Sequence, residues 1–249
     1  MKKLSAVFLT FVFVFFSSCS KDSDTIKIGF LGPMTGDSAN YGKLMSQAVK
    51  IAVEEFNDAG GAGGKKARLL IEDDQGKVEK GNPAIEKLAG VDRVYGIIGA
   101  VFSSVSLAVA PKVEASKIVM ISPSSTHKDL PDKGKFIFRN VINNALQAVV
   151  FGRYLSKIEK VRSVAILYIK NDYSQGLALD FKTEYEKNGG KVVAVETALQ
   201  GDKDFKTQLT KIKGTNPEAL YIPNYVAEIA QILEQAKQLG IKAKIYSAD

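Results

Sequence analysis

From residue 26 the chain alternates short apolar runs with longer amphipathic ones, and few folds accept that pattern. "IKIGFL" (26–31), "RLLIE" (68–72), "VYGIIG" (94–99) and "IVMIS" (118–122) have strand length and strand composition. Between them, 40–59, 79–90 and 104–116 carry helical spacing. In the first of these, Tyr41, Met45, Ala48, Ala52 and Phe56 form the apolar stripe, and "GGAGG" (60–64) ends the helix. Short apolar strands separated by helices imply a parallel sheet covered on both faces.

The series breaks at 122–135, "SPSSTHKDLPDKGK", a long polar loop. "FIFRNV" and a helix over 144–157 follow, and then the alternation restarts. Strands are expected at 164–169, in "KVVAVE", in "EALYI" and in "AKIYSA". Helices are expected at 175–188, 204–213 and 225–239, the last with Val226, Ile229, Ala230, Leu233 and Ala236 as its stripe. The chain therefore reads as α/β, in two successive lobes (26–142 and 143–249) with a cleft between them.

The N-terminus reads differently. "MKK" precedes thirteen mostly apolar residues, too short for a comfortable membrane span, and then "SSCS". Cys19, the only cysteine of the protein, ends this stretch and cannot build an intramolecular disulfide framework. Its setting resembles a bacterial lipobox, with Ser18 acceptable before the cut and Phe16 departing from the usual leucine. Residues 1–18 are thus expected to be a lipoprotein signal peptide, Cys19 the site of lipid attachment, and 19–25 a tether. The protein is expected outside the cytoplasm, anchored to a bacterial membrane.

Composition excludes other classes. Apolar content of 45% and charged content of 24% are those of a globular protein. The net charge of +7 falls to +5 without Lys2 and Lys3, and the lysines form no stripe with aromatics, so nucleic acid is not an expected partner. "GFLGPMTG" and "GGAGGKK" both fail the glycine patterns of nucleotide loops, and no cofactor is expected. The single histidine, His127, lies in the polar loop and no glycine-flanked nucleophile exists near Ser103, which leaves a serine hydrolase without a base. "EDD" (72–74) has no accompanying metal-ligand cluster, and a cap or loop-ordering role is expected for it rather than a metal site.

What remains is a site that binds without reacting. Ser103 and Ser104 stand where a strand hands over to a helix, and Ser124, Ser125 and Thr126 follow the next strand. At the carboxyl ends of parallel strands, hydroxyls and free helix N–H groups suit a small anion. Capping accounts for one serine, not comfortably for both clusters.

Several motifs together carry a resemblance. "IKIGFLGPMTGDSANYG", "FNDAGG", "LLIEDDQG", "GIIGAVFSS", "MISPSSTHKDL", "NDYSQGLA", "GDKDF", "IPNYVAEIAQILEQAKQLG" and "YSAD" resemble the extracytoplasmic substrate-binding proteins of branched-chain amino-acid ABC transporters. The resemblance covers essentially all of 26–249. It implies two Rossmann-like lobes closing on a ligand about a hinge (a type I periplasmic binding protein), and a monomer that passes its ligand to a membrane permease. Ser103 matches the position that holds the ligand carboxylate, aided by the N–H groups that follow, Ser104 among them. Ser124 and Thr126 match positions meeting the head group, and Asp249 the acid that pairs with the ammonium. Tyr41, Tyr173 and Tyr225 match aromatic cleft positions, while Val101 and Phe102 would touch the ligand side chain. The implied ligand is leucine, isoleucine or valine. Related proteins take other amino acids, amides, urea or aromatic acids, and a ligand sensor is a further alternative. Family members continue well beyond the position of Asp249, so their C-terminal part is expected to be lacking here.

Overall fold

The computed structural model describes residues 25–248. The expected signal peptide, Cys19, the expected tether up to residue 24 and Asp249 lie outside the described residues.

The first five strands, β1 (Thr25–Gly32), β2 (Lys66–Asp73), β3 (Gly96–Ile98), β4 (Val119–Ser122) and β5 (Ile137–Arg139), form one parallel sheet in the order β2-β1-β3-β4-β5. Its helices are α1 (Ala39–Asp58), α2 (Val78–Glu86), which continues as a wide helical turn over Lys87–Asp92, and α3 (Ser103–Ala115). After β5 the chain crosses to a second unit, which begins with α4 (Asn144–Arg153). There β6 (Ser163–Ile169), β7 (Lys191–Ala198), β8 (Ala219–Tyr221) and β9 (Lys244–Tyr246) make a second parallel sheet in the order β7-β6-β8-β9. Its remaining helices are α5 (Asp172–Lys187), α6 (Lys206–Gly214) and α7 (Val226–Gln238). In both sheets the strand order reverses beside the first strand, and such a switch point opens a crevice at the carboxyl ends.

The cores follow from the strand composition. Leu31, Ile97, Met120 and Ile137 point to the face that α2, the turn after it and α3 cover with Ile85, Leu88, Val105 and Val109, while Phe30 points to the opposite face with Ile98. In the second unit Ala165, Leu167, Ile169 and Leu220 meet Phe205, Leu209, Ile212 and Ile232.

Three expectations need correction. On α1 the inward side carries Tyr41, Gly42, Met45, Ser46, Val49 and Val53, whereas Ala48, Ala52 and Phe56 are exposed. Gly42 is required there, because a Cβ would come within 2.2 Å of the Pro33 carbonyl oxygen. On α7, Val226, Ala230 and Leu233 are exposed, and Glu228, Ile232, Gln235 and Ala236 are buried. Glu228 accepts from the Gly201 N–H at 3.0 Å and Gln235 from the Phe205 N–H at 2.7 Å, so the helix buries polar groups to satisfy a loop. Finally, among the described residues α1 covers only part of the second face of the first sheet. Among the described residues, Val119, Ile121 and Phe138 remain exposed and line or flank an apolar groove of about 380 Å3 beside α1.

Candidate ligand-binding site

The segments following β3 and β4 meet α1 on one side of a cleft, and the starts of α5 and α7 face them from the other. Between them lies a cavity of about 190 Å3. Ser103 and Ser124 supply its polar lining, and Val101, Phe102 and Met45 with the rings of Tyr41, Tyr173 and Tyr225 supply the rest. The groove on the first sheet is larger but offers no convergent polar groups, which a site for a charged small molecule needs.

The serines divide into two jobs. β3 ends at Ile98, so the carbonyls of Ala100 and Val101 have left the ladder and need donors elsewhere. Ser106 and Ser122 donate to the Ala100 carbonyl at 2.9 and 2.6 Å, and Ser124 donates to the Val101 carbonyl at 2.6 Å. The Ser125 hydroxyl lies 3.3 Å from both carbonyls and 2.6 Å from that of Ser106. These four hold the backbone in place. Ser103, first residue of α3 and buried, is the lining serine whose hydroxyl makes no hydrogen bond among the described residues. Phe102 precedes it in extended conformation and caps α3 with no side-chain bond, so the first amides of the helix keep their capacity for an anion.

Two of the expected residues do not line the cavity. The Ser104 hydroxyl accepts from the Asp172 N–H of α5 at 3.0 Å and bridges the lobes. Thr126 lies behind Ser124, its carbonyl accepting from the Asn144 N–H at 2.8 Å and its buried hydroxyl without a partner. Asp249 lies outside the described residues. Met45, a cavity residue that sequence reading assigned only to the stripe of α1, sits one turn beyond Tyr41 and shares its face.

The rings form a column across the cleft. Phe102 stacks on Tyr225 with centroids 4.2 Å apart and planes 19° from parallel, and Tyr225 stacks on Tyr173 at 5.1 Å and 11°. Tyr41 presents an edge to Phe102 at 5.4 Å. Polar contacts close the same gap. The Val226 N–H donates to the Tyr41 hydroxyl at 3.2 Å, and the Lys203 ammonium lies 2.9 Å from the Asp37 carboxylate. That ammonium's hydrogen bond, then its charge, holds the exposed Asp37 carboxyl below its ordinary range.

Adjacent carboxylates support the site from behind, in the loop-ordering role expected of "EDD". Asp73 accepts from the Met34 N–H at 2.8 Å, the Gln75 N–H at 2.9 Å and the Thr35 hydroxyl at 2.5 Å, tying the β1–α1 loop to the β2–α2 loop. Partial burial works against its ionised form, but these bonds hold its pKa below the usual value. Asp74 is fully buried, with one oxygen bonded to the Gly76 N–H at 2.7 Å and the other without a partner. His127 does not line the cavity; its ring nitrogen Nδ1 lies 3.4 Å from the Asp129 N–H and its carbonyl accepts from Arg139 at 2.6 Å.

A family model described as periplasmic binding protein matches residues 25–248. The chain is 32% identical over 244 residues to the leucine-, isoleucine-, valine-, threonine- and alanine-binding protein of Pseudomonas aeruginosa, covering 98% of this chain and 65% of that one. A leucine-binding protein of Thermotoga maritima, of known crystal structure, superposes with a TM-score of 0.84 at 30% identity, over 90% of this chain and 63% of that one. A branched-chain amino acid transporter substrate-binding protein of Streptococcus pneumoniae, crystallised with isoleucine, gives 0.83 at 29% identity over 90% and 64%. The chain thus spans somewhat less than two thirds of the length of these relatives. With two parallel sheets about one cleft and a match running through nearly the whole described chain, the protein belongs to the periplasmic binding protein family.

Proposed function

We propose that the protein captures a small amino acid of the leucine, isoleucine and valine class between its lobes and delivers it to the permease of an ABC importer. The observation that carries this reading is the cavity itself. One unengaged buried hydroxyl, Ser103, stands at an uncapped helix start, surrounded by apolar and aromatic walls drawn from both lobes. A zwitterion leaving water needs partners for both charges. Ser103 and the first amides of α3 receive the carboxylate, with the unpartnered Thr126 hydroxyl as a donor in reserve behind them, and Asp249 receives the ammonium. The names of the relatives point to the same ligand class.

The role is binding rather than catalysis. Ser103 has no base, since the one imidazole sits in the loop near Asp129. Calorimetric titration of the full chain with leucine, isoleucine, valine, phenylalanine and acetamide tests the assignment. The aliphatic amino acids should bind, and Ser103→Ala should weaken them about 10- to 100-fold, the effect of removing one hydrogen bond to a charged group. Binding of acetamide alone, or of no amino acid, would discard this ligand class.

The same reading places the protein outside the cytoplasm as a lipid-anchored monomer. Residues 1–18 are removed and Cys19 carries the acyl chains. Labelled palmitate should enter the wild-type chain in a bacterial host and be absent from Cys19→Ala; equal labelling of both would rule out this anchor.

A further inference from the structure

Phe102 is a cavity side chain packed against groups from several elements. Its ring stacks on Tyr225 of the second lobe at 4.2 Å, and the Tyr41 ring edge stands 5.4 Å away. Gly76 lies against another side of the ring, in the loop that follows β2. Gly76 has a left-handed backbone (φ 69°), and a Cβ on it would come within 2.9 Å of Phe102 Cε2 and 3.0 Å of Cδ2. The ring therefore rests against bare backbone. That backbone is itself held, because the Gly76 N–H donates to the buried Asp74 carboxylate at 2.7 Å. Gly76 against Cδ2 and Cε2 and Tyr225 on the ring face together confine the ring.

The space left over is small. Ligand pockets commonly enclose about 300–1,000 Å3, against about 190 Å3 here. Its far walls, Tyr173 and Tyr225, are stacked on each other and are both largely buried. A longer ligand side chain would have to part Phe102 from Tyr225, and that contact joins the two lobes. It would lose both the stack and closure.

We infer that Phe102, wedged between Gly76 and Tyr225, sets the upper size limit of the ligand, so that the site takes amino acids with side chains of valine size or shorter in preference to leucine and phenylalanine. This rests on the amino-acid reading proposed above. Pockets discriminate poorly against ligands that are too small, by one methylene's worth of burial, but a wall that cannot yield excludes ligands that are too large.

The test is titration of the full chain and of its F102A and F102L forms with valine, leucine and phenylalanine. The quantity read is the ratio of affinities within each form, which does not depend on the fraction of protein correctly folded. Wild type should favour valine over leucine by about tenfold, with phenylalanine weaker still. F102A should bring that ratio to unity or reverse it. F102L, which keeps apolar bulk on Gly76, should move it in the same direction and covers the case in which F102A does not fold. If wild type and variants bind amino acids with the same valine-to-leucine ratio, or wild type favours leucine, the size limit is refuted while the amino-acid reading stands. If none of the forms binds any amino acid, both are refuted together.

Discussion

Replacing Tyr225 by alanine is expected to weaken ligand binding about 30- to 1,000-fold, which corresponds to about 2–4 kcal/mol at a buried aromatic anchor. Three rings meet at this residue. Phe102 stacks on it at 4.2 Å, Tyr173 at 5.1 Å, and the edge of Tyr41 stands 6.0 Å away. Two of those three, Phe102 and Tyr41, come from the lobe opposite to that of Tyr225, so removing Tyr225 removes a cavity wall and a closure contact at once. Its backbone is not at stake, since the extended residue before α7 keeps its carbonyl bond to the Ile229 N–H at 3.0 Å whatever the side chain. Tyr225→Phe keeps the stack and should stay within about tenfold of wild type, the scale of one hydrogen bond. Titration calorimetry measures the affinity, and small-angle scattering with and without ligand reports closure. An alanine variant that binds within threefold of wild type and closes normally would show the aromatic column to be mere packing.

The second large effect concerns stability and pH. Burial pushes the Asp74 carboxyl up to about 6 from 3.8, the neighbouring Asp73 charge adds to this, and the Gly76 N–H bond opposes it. The folded state therefore holds this proton more tightly than the unfolded chain. Above pH 6 the ionised carboxylate weighs against folding. As pH falls through 6 that penalty fades, and below 3.8 it is gone. The displacement corresponds to about 3 kcal/mol at neutral pH. Asp74→Asn keeps an acceptor for the Gly76 N–H and removes the charge. It should raise the free energy of unfolding by up to about 3 kcal/mol at pH 7.5 and by almost nothing at pH 4, measured by urea denaturation. Equal destabilisation at both pH values would instead mean that the geometry of the Gly76 bond, and not the charge, is what this residue provides.

Much of the fold was legible in the residues. Strand and helix periods differ, so the order of elements could be read along the chain, and all-parallel pairing follows from strands joined by helices. Helix faces were less legible. Spacing alone selects a stripe only when one side is plainly more apolar. On α1, Gly42 and Ser46 face inward because the helix approaches Pro33 closely, while Phe56 is left outside. On α7 the buried Glu228 and Gln235 read as surface residues until the loop amides of Gly201 and Phe205 are placed beside them. How far α1 reaches across the first sheet could not be read either, since alternation implies helices without saying how much of a face each covers.

The site shows the same division. By itself the sequence determined the residue types and their place at the carboxyl ends of β3 and β4, because strand-to-helix handovers, hydroxyls and a single histidine are all local facts. The tertiary structure decided which hydroxyls stay free. Where β3 stops, two carbonyls lose their ladder partners, and Ser106, Ser122, Ser124 and Ser125 are drawn to them, leaving Ser103 to the cavity. It also decided how large the cavity is. The distances that set its size run from Gly76 through Phe102 to Tyr225, and only packing brings residues so far apart in sequence into contact.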